Sequence, residues 1–254
     1  MNDKQILSDD RSRTDYDEWH EHMVRAETKS PLDYPWYESV YRGLRPISTG
    51  RLLEVGCGRG QFAVWLSKQK PNFEITGLDF SETAIGLATQ RAMAERAGVT
   101  FMQGDAQALP YADDSFDILV SCECLEHVRN PSKMAREIAR VLKPGGRFLL
   151  TTENYFNGML LAWLMSWVRG QSFNSGSGVQ PRENFFVFWM VSGYLRKAGL
   201  IVAETEASHY QWLLLPRVDP ARLCTQNFDS PLAKRLAKPF GRHFTFIGRK
   251  PIAH

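Results

Sequence analysis

Three short runs in this sequence carry residue types that do chemistry. The first, Glu54-Val55-Gly56-Cys57-Gly58-Arg59-Gly60, sets glycines at alternate positions between an apolar run and a helical pattern. Without Cβ atoms the backbone can turn sharply and let a ligand approach closely. The helix that follows points its free N–H groups at an anion. A dinucleotide pyrophosphate satisfies that demand, and so does the carboxylate of an amino-acid moiety such as methionine. Spacing separates the two. A dinucleotide fingerprint G-x-G-x-x-G needs its third glycine at position 61, which is Gln61 here. Glu54 would also repel a pyrophosphate, whereas it can face an ammonium group.

The second run is Asp79 with Phe80, directly after the apolar segment Ile75 to Leu78. A carboxylate there can accept two hydrogen bonds from the vicinal hydroxyls of a ribose. Phe80 could lie against an adenine. The third is Gly104-Asp105-Ala106 after Val99 to Gln103. Its aspartate can accept from an exocyclic amino group while backbone N–H groups read the ring. Alone, each of these has a bland reading as a turn or a helix cap. In register at successive strand ends they read as one site.

Those strand ends require a particular scaffold. Arg51–Val55, Ile75–Leu78, Val99–Gln103, Phe116–Ser121 and Arg147–Thr151 read as strands, and helical patterns lie among them. Phe62, Trp65 and Leu66 mark a helix over Gln61–Lys68. Ser81 can cap the next helix and Gly98 can stop it. Asn130-Pro131 starts a helix with Met134, Ile138, Val141 and Leu142 on one face, ended by Pro144-Gly145-Gly146. The βαβ series predicts an α/β fold with a parallel sheet and helices on both faces. Leu200–Glu206 and His243–Gly248 read as two late strands.

The runs Leu52 to Gly60, Gly77-Leu78-Asp79, Gly104-Asp105-Ala106 with Leu109-Pro110, Ser115-Phe116-Asp117 and Leu142-Lys143-Pro144-Gly145-Gly146 together resemble class I methyltransferases of the type 11 group. That group includes ubiquinone-biosynthesis enzymes. The resemblance is strong over about residues 50 to 151. It implies a Rossmann-like, seven-stranded, mostly parallel sheet with its last strand antiparallel. It also implies S-adenosyl-L-methionine as cofactor and S-adenosyl-L-homocysteine as product. Carried over by motif, Glu54, Gly56, Cys57, Gly58, Asp79, Phe80, Asp105, Ala106 and Cys122 are the expected cofactor contacts.

Beyond Cys122 the chain reads Glu123-Cys124-Leu125-Glu126-His127. The sulfonium methyl of such a cofactor is already activated, so an enzyme must align a nucleophile with it. A hydroxyl acceptor must also lose its proton, and His127 is the expected general base. A structural role for Glu126 and His127 is the competing reading. The E-x-x-E-H pattern also resembles ubiquinone O-methyltransferases and small-RNA 3′-end methyltransferases, where it is linked to a divalent cation. Those families add another histidine, for which this sequence offers Gln180 or a neighbour. Glu123, Glu126 and His127 could hold a cation, but none is assigned.

Around this core, residues 1–48 read as an arm with helices that covers the site, and residues 49–254 as the methyltransferase domain. An aromatic stretch, about 155–190, reads as a helical lid with a mobile loop at Asn174–Gly178. The expected reaction is methylation of a small organic acceptor, aromatic or hydrophobic, at oxygen. Nitrogen or carbon methylation, RNA methylation and a non-catalytic cofactor-binding module remain as alternatives. The 31 basic and 28 acidic residues of this 254-residue chain are too even to argue for nucleic acid. The longest apolar run, Gly158 to Val168, is short of a membrane span, though peripheral contact stays open. Four scattered cysteines and a polar start fit a cytoplasmic setting.

Overall fold

A computed structural model describes residues 14–18, 30–154, 167–168, 170, 184, 186–210, 230–232, 235 and 238–252. The strands are β1 (Gly50–Val55), β2 (Phe73–Asp79), β3 (Val99–Gln103), β4 (Phe116–Cys122), β5 (Leu142–Glu153), β6 (Ile201–Tyr210) and β7 (Gly241–Arg249). The helices are α1 (Pro35–Leu44), α2 (Gln61–Gln69), α3 (Glu82–Glu95), α4 (Pro131–Val141) and α5 (Phe188–Lys197). The strands make one sheet in the order β3-β2-β1-β4-β5-β7-β6. β7 alone runs against the rest, pairing antiparallel with both β5 and β6. The mixed sheet with a reversed last strand is therefore the one expected.

Alternation along the central strands explains why both faces are covered. In β5, Phe148 and Leu150 enter one apolar cluster while Leu149 enters the other. The first cluster takes Met134, Ile138 and Val141 from α4 with Val191 and Leu195 from α5. The second takes Val40 and Leu44 from α1 with Phe62 and Leu66 from α2. Side chains of this size stabilise the fold by about 1.5–3 kcal/mol each when fully buried. At Gly43 an added Cβ would lie 2.5 Å from Leu149 Cδ2, so the missing side chain lets α1 lie close against β5.

Two boundaries differ from the expectations. Leu142 and Pro144-Gly145-Gly146 lie within β5, which starts where α4 ends. The register against β4 shifts between Phe116 and Ile118, and Gly145 takes φ +79°. An apolar Leu142 thus serves the sheet rather than the helix. The helix α3 stops at Arg96, in left-handed conformation with φ 52°, two residues ahead of Gly98. The Arg96 N–H bonds back to Ala92 and Met93, which closes the helix without glycine. Ser81 does cap α3, its Oγ accepting from Ala84 N–H at 3.0 Å.

Strand order reverses at β1 and β4, since β2 and β3 lie to one side of β1 and β4 to the other. Ligands in such sheets bind beyond the carboxyl ends of the strands at this switch point. The glycine loop follows β1 and the Cys122–His127 run ends β4. Most of residues 155–190, including the Asn174–Gly178 loop and Gln180, lies outside the described residues. Phe186 is buried, and Phe188 opens α5 and packs on Phe244. No helix among the described residues is long and apolar enough to cross a membrane.

Candidate active site

The glycine loop is held from below by β2. The N–H groups of Gly56 and Cys57 both donate to Leu78 O, at 2.8 and 3.0 Å. Gly56, Gly58 and Gly60 all have positive φ. Gly60 has a further reason to be glycine, because a Cβ there would lie 2.7 Å from Phe101 Cζ and 2.9 Å from Ala88 Cβ. Its missing side chain lets the start of α2 settle on α3 and β3.

Asp79 ties the loop to the next helix. Its Oδ2 accepts from Gly58 N–H at 2.8 Å and its Oδ1 from Ser81 N–H at 3.0 Å. The Gly58 N–H therefore serves the aspartate and locks the loop to the end of β2. Each carboxylate oxygen keeps a second lone pair for a hydroxyl donor. The backbone carbonyl of Asp79 accepts from Gly104 N–H at 2.8 Å, so the second and third strand ends are one connected unit. Asp105 Oδ1 accepts from Gln107 N–H at 2.8 Å and from Gln107 Nε2 at 3.1 Å. Ala106 is buried beside it, and Phe80 is half-buried.

Glu54 is the outlier of the group. It is 1% exposed, and neither carboxylate oxygen has a hydrogen-bond partner among the described residues. Burial, with the nearby charge of Asp79, raises its pKa to about 8. A buried carboxylate left without donors costs free energy that a bound cation recovers. This orphaned acid and the glycine cradle fit the amino-acid end of S-adenosylmethionine.

Cys122 is buried at the end of β4, opposite Thr151. Burial holds the thiols of Cys57 and Cys122 well above their ordinary range, so both are neutral packing groups. Sequence reasoning missed Cys124, which fills the space beside Gly56. The Leu125–His127 turn is a single 3-10 turn. Within it Glu126 is buried, accepting from Thr152 Oγ1 at 2.9 Å, with its other oxygen 3.8 Å from His127 Nε2. The Tyr16 ring meets His127 edge-on at 6.4 Å between centroids.

Two further residues went unnoticed in the sequence. Glu153 ends β5, and His243 lies directly across from it on β7. His243 Nδ1 is 3.1 Å from Glu123 Oε2. Arg242 pairs with Glu153 at 3.2 Å. Burial raises Glu123 and Glu126 to about 8, helped by neighbouring carboxylates, and lowers His243 to about 4. The donor atoms that converge among the described residues are those of Glu123, Glu153 and His243.

Residues 53–150 match the model of the family described as "Methyltransferase domain". That stretch, from the middle of β1 into β5, carries the likeness to S-adenosylmethionine-dependent methyltransferases of the type 11 group. "Methyltransferase GfsG" of Streptomyces halstedii is 37% identical over 115 residues, covering 44% of this chain and 41% of its own. "Fatty-acid O-methyltransferase" of Mycolicibacterium smegmatis is 41% identical over 101 residues, covering 40% of this chain and 36% of its own. The chain therefore spans less than half the length of these two curated relatives. The same fold extends further. A Thermotoga maritima protein described as a possible histamine N-methyltransferase superposes with a TM-score of 0.65 at 19% identity, covering 94% of this chain and 99% of its own. Likeness at that identity speaks to the fold of this chain and not to its acceptor.

Proposed function

We propose that this chain transfers the methyl group of S-adenosylmethionine to a small organic acceptor, at an oxygen atom. The observation that carries the reading is Glu54, a fully buried carboxylate with no hydrogen-bond donor in the described residues, set directly before the glycine loop. An ammonium group is the partner it needs.

In this reading Glu54 receives the ammonium of the cofactor while Gly56, Cys57 and Gly58 let its methionine part approach. Asp79 receives the ribose hydroxyls. Phe80, Asp105 and Ala106 take the adenine, and Cys122 lines the methionine side. When bound, S-adenosylmethionine supplies a methyl group on a positively charged sulfur. His127 takes the acceptor's hydroxyl proton at an imidazole nitrogen, and Glu126, 3.8 Å away, borders the ring. The first described residues close the other side. Asp17 accepts from Ser81 Oγ and from Thr83 N–H at 3.1 Å, while Tyr16 reaches His127. Residues 14–18 thus bridge the start of α3 and the His127 turn, which supports an arm that excludes water from the site.

Calorimetry with S-adenosylmethionine tests the cofactor assignment. The unaltered chain should bind, and Asp79→Ala should bind at least tenfold more weakly. Equal binding by the two would remove the ribose assignment. A radiolabelled methyl-transfer screen of hydroxylated metabolites tests the acceptor class. Transfer only to amines or carbon nucleophiles would overturn the choice of oxygen.

A further inference from the structure

Three carboxylates, those of Glu123, Glu126 and Glu153, gather near the carboxyl ends of β4 and β5, with Arg242 the cation paired into the group. Buried like charges of this kind need a compensating cation. A divalent ion placed among the three would supply that charge.

The backbone brings the donors together. Glu153 and His243 are opposed residues of the antiparallel β5–β7 pair, so their side chains leave the same face of the sheet. Glu123 follows the last residue of β4 in a left-handed conformation, φ 50°. Its N–H donates to Thr151 O and to Thr151 Oγ1, both at 3.2 Å. One donor atom from each of Glu123, Glu153 and His243 lies within 4.8 Å of the others. The Nδ1 to Oε2 distance of 3.1 Å is already that of two neighbouring ligands about 2.1 Å from one metal. Glu123 Oε1 is buried with no hydrogen-bond partner among the described residues.

Outer contacts fix these donors as a metal site requires. The Trp36 ring lies 5.1 Å from the His243 ring. Arg242 holds Glu153 through Oε1. Glu126 accepts from Thr152 and is not among the three residues whose donor atoms converge. Glu123 keeps 17% of its side chain exposed, an approach from solvent.

We infer that Glu123, Glu153 and His243 bind one divalent first-row transition-metal ion on the acceptor side of the site. The imidazole donor favours zinc over calcium or magnesium, and the two carboxylates also admit manganese. Three protein donors leave coordination positions open, and an oxygen donor of the acceptor fits them. That use rests on the methyl-transfer reading, whereas the binding does not.

The test is a titration of chelator-treated full chain with Mn²⁺, followed by the electron paramagnetic resonance of the free ion. One equivalent should bind, and Glu153→Gln and His243→Gln should each weaken it at least tenfold. Glu126→Gln should stay within about threefold. Calorimetric binding of S-adenosylmethionine by each variant shows that it folds. In the unaltered chain, Mn²⁺ should broaden the His243 ring resonances before those of other histidines, a readout that needs no variant. No uptake of Mn²⁺ or Zn²⁺, broadening elsewhere, or a loss in Glu126→Gln equal to that in Glu153→Gln would overturn the assignment. Failure of the methyl-transfer reading would appear instead as absent cofactor binding with Mn²⁺ uptake intact.

Discussion

Gly56 and Cys124 face each other so closely that a Cβ on Gly56 would lie 2.6 Å from both Cβ and Sγ of Cys124. The loop after β1 and the turn after β4 are therefore in direct contact. Gly56→Ala must both shift Cys124 and hold alanine at φ +76°, which costs roughly 1–3 kcal/mol for the backbone alone. Denaturant unfolding should show that loss, and calorimetry should show S-adenosylmethionine binding reduced at least tenfold. Gly86, whose Cβ would meet nothing within 4 Å, serves as the control, and Gly86→Ala should retain stability and binding.

Glu54→Gln should separate stability from binding. The folded, ligand-free chain holds a proton on Glu54 up to about pH 8, whereas an ordinary glutamate releases it near 4.5. Folding therefore takes up a proton in that window, and Glu54 makes the ligand-free protein less stable as pH rises from 4.5 to 8. Glutamine removes the charge, so the fall in melting temperature between pH 6 and pH 8 should become shallower. Affinity for S-adenosylmethionine should drop tenfold or more. A variant with an unchanged pH slope would show that Glu54 is not the group responsible.

Arg140 holds the segment that follows the Asp105 turn. Its guanidinium donates to Leu109 O and Tyr111 O at 2.9 and 2.7 Å, and pairs with Glu137 and Asp113. Glu137 in turn accepts from Leu109 N–H at 2.8 Å. Arg140→Ala leaves two carbonyls and two carboxylates without these donors, at a cost of about 2–4 kcal/mol. Thermal unfolding should shift down by several degrees. Arg140→Lys should recover only part, because an ammonium cannot reproduce the fork.

Asp17→Ala should loosen the bridge from residues 14–18 to Ser81 and Thr83. Limited proteolysis should then cut the amino-terminal segment faster, and bound S-adenosylmethionine should dissociate faster. Unchanged release would remove the arm from any role in retaining the cofactor.

The half of the site proposed to hold the cofactor was legible because it is local. Glu54 and Asp79 lie at the ends of β1 and β2, Gly56 and Asp105 lie just beyond β1 and β3, and the register of these strands brings those ends together. The acceptor half was not. Glu153 and His243 are brought together by an antiparallel pairing that no spacing along the chain announces. His243 was read as the first residue of a strand, and Glu153 as a residue beyond one. Arg96 escaped notice for a different reason. Its left-handed conformation is stabilised by hydrogen bonds to Ala92 and Met93, which residue type does not reveal.

The position of β7 sets an order of events during synthesis. β1 through β4 and the glycine loop leave the ribosome early and can pair with one another at once. β5 and β6 are made before β7, yet β7 must slot between them. Their shared edge stays unpaired until the stretch from Gly241 to Arg249 has emerged. The nascent chain can thus shape its glycine-loop end long before it can shape the Glu153–His243 end, and slow closure of this sheet is the step most exposed to aggregation.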